Sequence, residues 1–162
     1  MSWSLRLTAL VCMLLAARSY VVGPRTGMSA PELSVVGLVS APPGATAALS
    51  ALRGRVVVLE FWTTWCGPCV DAIPHMNQLA EACAAAPVTF IAISDEDQTV
   101  LRDFLLKREM RAWVASDPDG STRSDYGVRG YPLVVLVGPG GTVEWTGHPM
   151  QLDAARILAL VP

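Results

Sequence analysis

Val56-Val57-Val58-Leu59-Glu60-Phe61-Trp62-Thr63-Thr64-Trp65-Cys66-Gly67-Pro68-Cys69 joins an apolar, β-branched run to two cysteines separated by Gly and Pro. Residues 56–61 predict a strand covered on both faces, because a strand with one wet face would alternate. The cysteines fall where that strand gives way to a helix predicted over 66–85. Ile73, Met76, Leu79, Ala80 and Cys83 mark its inner face, and Pro74 lies inside it as a kink. A thiol at a helix start sits beside unpaired backbone N–H groups and the positive end of the helix dipole, which stabilise a thiolate. Cys66 is therefore read as the nucleophile toward a disulfide, and Cys69 as the thiol that reaches back to resolve the mixed disulfide. A zinc knuckle or a static disulfide is the competing assignment. Zinc needs two more ligands, and His75, six residues past Cys69 on the same helix, is not at a paired spacing. No metal and no cofactor is expected.

Outward from this segment, residues 88–94 predict a second buried strand and 99–108 a charged amphipathic helix. Asp95-Glu96-Asp97 between them is read as an acidic loop capping that helix, which suits the dipole. A short strand near Trp113, a turn at Asp117-Pro118-Asp119-Gly120, a buried strand over 133–137 and a hairpin partner over 142–146 come next. A last helix is predicted over 152–161. Upstream, residues 20–54 are rich in Gly, Pro, Ala and Ser without a sustained period, with a short edge element expected at 32–38. Strands alternating with helices, then a hairpin and a terminal helix, predict an α/β sandwich with a mixed central sheet.

The 162 residues are 52% apolar and 16% charged with a formal charge of −2, enough for one full core and too acidic for a nucleic-acid partner. Arg6 and the apolar run 7–17, followed by Ala17-Arg18-Ser19, read as an export signal over 1–19, or as an uncleaved anchor if the cut is not made. Residues 20–30 are then a linker and 31–162 the domain.

Three separated signatures carry a resemblance to a known family. Residues 61–69 resemble the active-site segment of the thioredoxin superfamily, and Pro74 matches the kink proline of its active-site helix. Tyr126-Gly127-Val128-Arg129-Gly130-Tyr131-Pro132 resembles the segment bearing its cis-proline. Ala30-Pro31-Glu32-Leu33, Leu52-Arg53-Gly54-Arg55 and an insertion after Ser94 are similar to the exported TlpA-like thiol:disulfide reductase branch. The resemblance implies a thioredoxin-like three-layer sandwich, its mixed β-sheet flanked by helices. It also implies a buried carboxylate at Glu60 acting as general base for Cys69, and a cis peptide at Tyr131-Pro132 that presents backbone to a substrate strand. Trp65, Gly67 and Pro68 join Tyr131 and Pro132 in the substrate platform; Trp62 belongs to the core. Two departures stand out: Tyr131 is bulkier than the usual residue before the cis-proline, and Ala92 stands near the place of thioredoxin's buried lysine.

The resulting expectation is an oxidoreductase that reduces disulfides of exported proteins, with electrons from a membrane thiol-transfer protein. The alternatives are an exported disulfide donor and a copper-handling chaperone, the latter disfavoured by the narrow cysteine spacing and by Pro132. A peroxidase would want proline where Leu59 stands. Cys83, roughly 21 Å along the helix from Cys69, is read as an inert buried thiol. His148 is read as a loop residue, and Trp113 and Trp145 as core or sheet-edge residues.

Overall fold

The computed structural model describes residues 23–162; the export segment read in residues 1–19, with Cys12 inside it, lies outside them. The elements are β1 (Gly37–Ser40), β2 (Val56–Phe61), α1 (Gly67–Ala82), β3 (Val88–Ser94), α2 (Gln98–Leu105), β4 (Trp113–Ser116), α3 (Ser121–Asp125), β5 (Leu133–Val137), β6 (Val143–Gly147) and α4 (Ala154–Leu158). Short 3-10 turns occur at Leu49–Leu52 and Pro149–Gln151.

Six strands form one mixed sheet in the order β1-β4-β3-β2-β5-β6. β2, β3 and β4 are parallel neighbours joined through α1 and α2. β5 returns antiparallel to β2, and β6 and β1 close the two edges antiparallel. Every residue of β2 and β5 is buried, which is why both read as unbroken apolar runs rather than alternating ones. Alternation still sorts them by face. Val56 and Val58 pack with α1, α2 and α4, whereas Val57, Leu59 and Phe61 pack with Leu49, Leu52, Tyr126 and Val128 on the far side. Two cores on opposite faces of one sheet make the three-layer sandwich expected.

Element ends differ from the expected ones for local reasons. α1 stops at Ala82 with Cys83 as its C-cap; the N–H groups of Ala84 and Ala86 turn to Glu81 and Cys83 as the chain approaches Pro87, which cannot continue a helix. The terminal helix is shorter than 152–161, because Asp153 accepts the Arg156 N–H at 2.8 Å and starts α4 at Ala154. The edge strand lies at Gly37–Ser40 rather than 32–38. Glu32 is occupied otherwise: its carboxylate accepts the N–H groups of Leu49 and Ser50 at 2.9 and 2.8 Å and caps the 3-10 turn there.

Residues 27–36 are held one bond at a time. Gly27 and Ala30 donate N–H bonds to the carbonyls of Val143 and Gly141, and Ser29 bridges Thr142 beside β6. Pro31 then accepts the Tyr126 hydroxyl at 2.7 Å, Ser34 donates to Thr122, and Val36 donates to Ser116 beside β4. Ala30, Leu33 and Val35 lie against the core on that face.

Leu136, wholly buried in β5, should cost about 2–5 kcal/mol when cut to Ala, whereas Leu106→Ala at an exposed position should cost under about 0.5 kcal/mol, both read by denaturant unfolding.

Candidate active site

β2 delivers the chain to residues 62–65, and Cys66 becomes the N-cap of α1, with Pro68 in the first turn where a missing N–H costs nothing. The Cys69 and Val70 N–H groups bond to the Cys66 carbonyl at 3.1 Å, and the Cys69 N–H also points to Cys66 Sγ at 3.3 Å. The two sulfurs are joined at 2.10 Å, with the Cα atoms 5.3 Å apart. Cys66 is 7% exposed and Cys69 0%. Cys66 borders a cleft of about 410 Å³, walled by residues 65–68 on one side and by Arg123 and residues 129–131 on the other. Cys69 does not line it. Cys66 is therefore the sulfur nearer the cleft, and Cys69 the one wholly covered.

Tyr131-Pro132 is cis, and Pro132 is buried where the 129–131 wall enters β5. Trp65, 71% exposed, meets the Tyr131 ring edge-on at 6.1 Å. Trp62 is buried and tilts against Phe104 at 5.2 Å. Cys83, the one described cysteine outside the disulfide, is buried, and burial pushes its thiol up. His75 bonds to the Leu152 carbonyl at 3.0 Å, and His148 caps the 3-10 turn after β6 by accepting the Met150 N–H. Among the described residues no cluster of three or more His, Cys, Asp or Glu could hold a metal ion.

Glu60 is 2% exposed, and neither carboxylate oxygen has a hydrogen-bond partner among the described residues. In β2 it alternates onto the face of Val56 and Val58, the face packed against Cys66, Cys69, Ile73 and Met76. Its neighbours across the ladder are Ala92 and Val134, both apolar. With no charge or donor nearby to compensate, burial pushes the carboxyl up to about 8. A group poised there can hold a proton at neutral pH and exchange it with a thiol.

The acidic loop differs from its expected role. Asp97 is the N-cap of α2 but makes no side-chain cap bond. Glu96 turns instead to the segment before Cys66: its carboxylate accepts the Thr64 N–H at 2.7 Å, the Thr64 hydroxyl at 2.6 Å and the Ser94 hydroxyl at 2.9 Å. Asp95 accepts the Tyr131 hydroxyl at 2.7 Å and lies 3.6 Å from Arg123, whose guanidinium also sits over the Tyr131 ring at 5.6 Å. Burial first, and then the bond to Asp95, hold the Tyr131 phenol above its ordinary range. From the sequence, Glu96 and Asp95 were read only as part of a helix-capping loop, Arg129 only as part of the segment before Pro132, and Arg123 was not singled out. A signal for the first two existed: Phe61 pairs with Ile93 in a parallel ladder, so the loop leaving β3 must lie beside the loop leaving β2.

Fold and site together define a thioredoxin-superfamily protein of the TlpA-like branch. The chain belongs to the AhpC/TSA family, whose sequence profile matches residues 26–146. It is 29% identical over 121 residues to the thiol-disulfide oxidoreductase ResA of Oceanobacillus iheyensis, a match covering 74% of this chain and 63% of that relative, so it spans less than two thirds of the relative's length. It is similar to the crystal structure of a Chlorobium tepidum protein assigned as thiol:disulfide interchange protein DsbE, with 31% identity, a TM-score of 0.73, and 85% of this chain and 99% of that one covered. It is also similar to a secreted Mycobacterium tuberculosis disulfide oxidoreductase, with 29% identity, a TM-score of 0.60, and 70% and 87% of the two chains covered.

Two outcomes are expected. The unfolded chain ionises Glu60 near 4.5 and the folded chain only near 8, so the folded state holds the extra proton between those values. Stability of the oxidised protein, in which Cys66 and Cys69 do not titrate, should fall through that window by about 1.4 kcal/mol per pH unit from Glu60, a slope missing in Glu60→Gln when urea unfolding is followed against pH. Glu96→Ala should cost about 2 kcal/mol and, combined with Thr64→Val, less than the sum of the two single changes by about 1 kcal/mol, because they remove a shared bond.

Proposed function

We propose that this chain is a thiol-disulfide oxidoreductase that reduces disulfides of exported proteins. The observation that carries this is the disulfide across the first turn of α1, with one sulfur bordering an open cleft and the other wholly buried. The Cys66 thiolate, favoured by the helix N-terminus, attacks the substrate disulfide; a mixed disulfide forms and one substrate thiolate leaves. Cys69, losing its proton to the ionised form of Glu60, which then passes it on to the departing thiolate, attacks Cys66 Sγ. The Cys66–Cys69 bond closes, the second substrate thiolate leaves, and two electrons have passed to the substrate. Trp65, Gly67 and Pro68 form one wall for the substrate. Tyr131 belongs to the other, and Pro132, buried next to it in the chain, steadies that wall through the fixed φ of proline.

Support for the activity comes from the relatives named thiol-disulfide oxidoreductase and thiol:disulfide interchange protein. Support for export comes from the apolar run at residues 7–17 and from the secreted mycobacterial relative. No helix among the described residues is long and apolar enough to cross a membrane. A reductant outside the cytoplasm must be recharged, and a membrane thiol-transfer protein is the donor assigned here.

The reduction potential of the Cys66–Cys69 pair, poised against dithiothreitol and glutathione buffers, tests the direction: about −270 mV supports a reductase and about −120 mV a disulfide donor. Cys69→Ser should stall the cycle as a mixed disulfide through Cys66, visible by mass spectrometry, and Cys66→Ser should form none. Adducts on Cys83 alone would refute the assignment of roles.

A further inference from the structure

We propose that the cleft beside Cys66 selects protein segments in which the attacked cysteine is flanked by an acidic side chain, received by Arg129 together with Arg123. The inference rests on the exchange chemistry proposed above and names the substrate class it serves.

The wall facing the cysteine carries two guanidinium groups, and no carboxylate lines the cleft. The acid beside this wall, Asp95, is already engaged by the Tyr131 hydroxyl and by Arg123, and its side chain is only 24% exposed. One cation of the pair is thus balanced and one is not. Arg129 is exposed and makes no ion pair among the described residues. The Arg123 guanidinium lies over the Tyr131 ring, and its buried Nε has no hydrogen-bond partner among the described residues. The local positive charge runs against the chain's formal charge of −2, so it belongs to this wall and not to the surface at large.

Geometry decides what form the anion takes. Trp65 projects beside Cys66, with its ring edge on Tyr131, and offers an apolar shelf. An extended segment laid along such a shelf sends successive side chains to opposite sides at about 3.3 Å per residue. A residue next to the attacked cysteine can therefore turn its carboxylate to the arginine wall while the cysteine faces Cys66. Opposite charge at the rim of a binding site chiefly raises the association rate and discriminates between partners. The exchange itself is unchanged: the substrate S–S bond breaks, two electrons move from the dithiol to the substrate, and both protons finish on substrate thiols.

The test uses three disulfide-linked peptides that differ only beside the cysteine, bearing Glu, Gln or Lys, with dithiothreitol as the source of electrons. For the wild-type protein at low salt, kcat/KM for the Glu peptide should exceed that for the Lys peptide about fivefold, shrinking toward unity at 0.5 M salt. Arg129→Glu should invert the order, and Arg108→Glu, an exposed change in the turn beyond α2, should preserve it. Turnover of all three peptides at equal rates would overturn the acidic preference while leaving the exchange chemistry standing. No turnover of any, the Gln peptide included, would bring down both. A charge preference confined to glutathione disulfide, with none among the peptides, would assign the arginines to a small thiol and overturn the protein-segment proposal.

Discussion

β2 is hydrogen-bonded along its length on both sides, parallel to β3 and antiparallel to β5, and every residue in it is buried. This double pairing leaves it no freedom to slide: a one-residue slip would move Glu60 from one core to the other and turn Leu59 toward α1. Position in the ladder therefore fixes where residues 62–65 emerge and where α1 starts. It also decides which loops border the disulfide, since the end of β3 and the start of β5 must lie on either side. The redox centre is a consequence of register before it is a matter of cysteine chemistry.

The same register places a carboxylate where nothing compensates it. A buried acid without a partner is a cost in stability, and the surroundings offer Glu60 no relief among Ala92, Val134 and the helix face. An apolar residue would pack there more comfortably. Retaining an acid whose affinity for protons lies near that of a thiol makes chemical sense if a thiol is what it serves. The arrangement at Glu96 is the opposite case. Three donors converge on one carboxylate and anchor the chain ahead of Cys66 to the end of β3, so Cys66 starts from a defined position. One acid is left wanting and the other is satisfied; the first suits proton transfer and the second suits positioning.

The central strands and α1 were legible because they obey periodic rules. Residues 56–61, 88–94 and 133–137 are apolar runs bounded by turn residues, and the helix after Cys66 repeats its apolar face. The cysteine pair was legible from its place between a buried strand and a helix, and Pro132 and Glu60 were read through the resemblance, which carries position as well as residue type. What escaped depends on contacts between residues far apart in the chain. Glu96 and Thr64 are 32 residues apart, and nothing in an acidic triplet distinguishes a helix cap from a tether to another loop. α3 and the 3-10 turn at Leu49–Leu52 are too short to show a period. They hold because Asp117 accepts the N–H groups of Thr122 and Arg123, and Glu32 those of Leu49 and Ser50. The arginine wall was missed for the same reason: Arg123 and Arg129 look like ordinary loop cations until the fold sets them opposite Cys66.

The segment from Gly27 to Ser40 enters beside β6, crosses the face of the sheet away from α1, and finishes as β1 on the far edge. Such a strap behaves like a tie-rod laid across planks. Tension arriving from the N-terminal side would load the Pro24–Thr146 bond and then the Gly27–Val143 and Ser29–Thr142 pairings, opening them in succession, as a zip opens, before reaching any inner strand. The disulfide sits with α1 on the other side of the sheet. A domain held this way can be tugged from its leading end without transmitting the strain to the sulfur atoms.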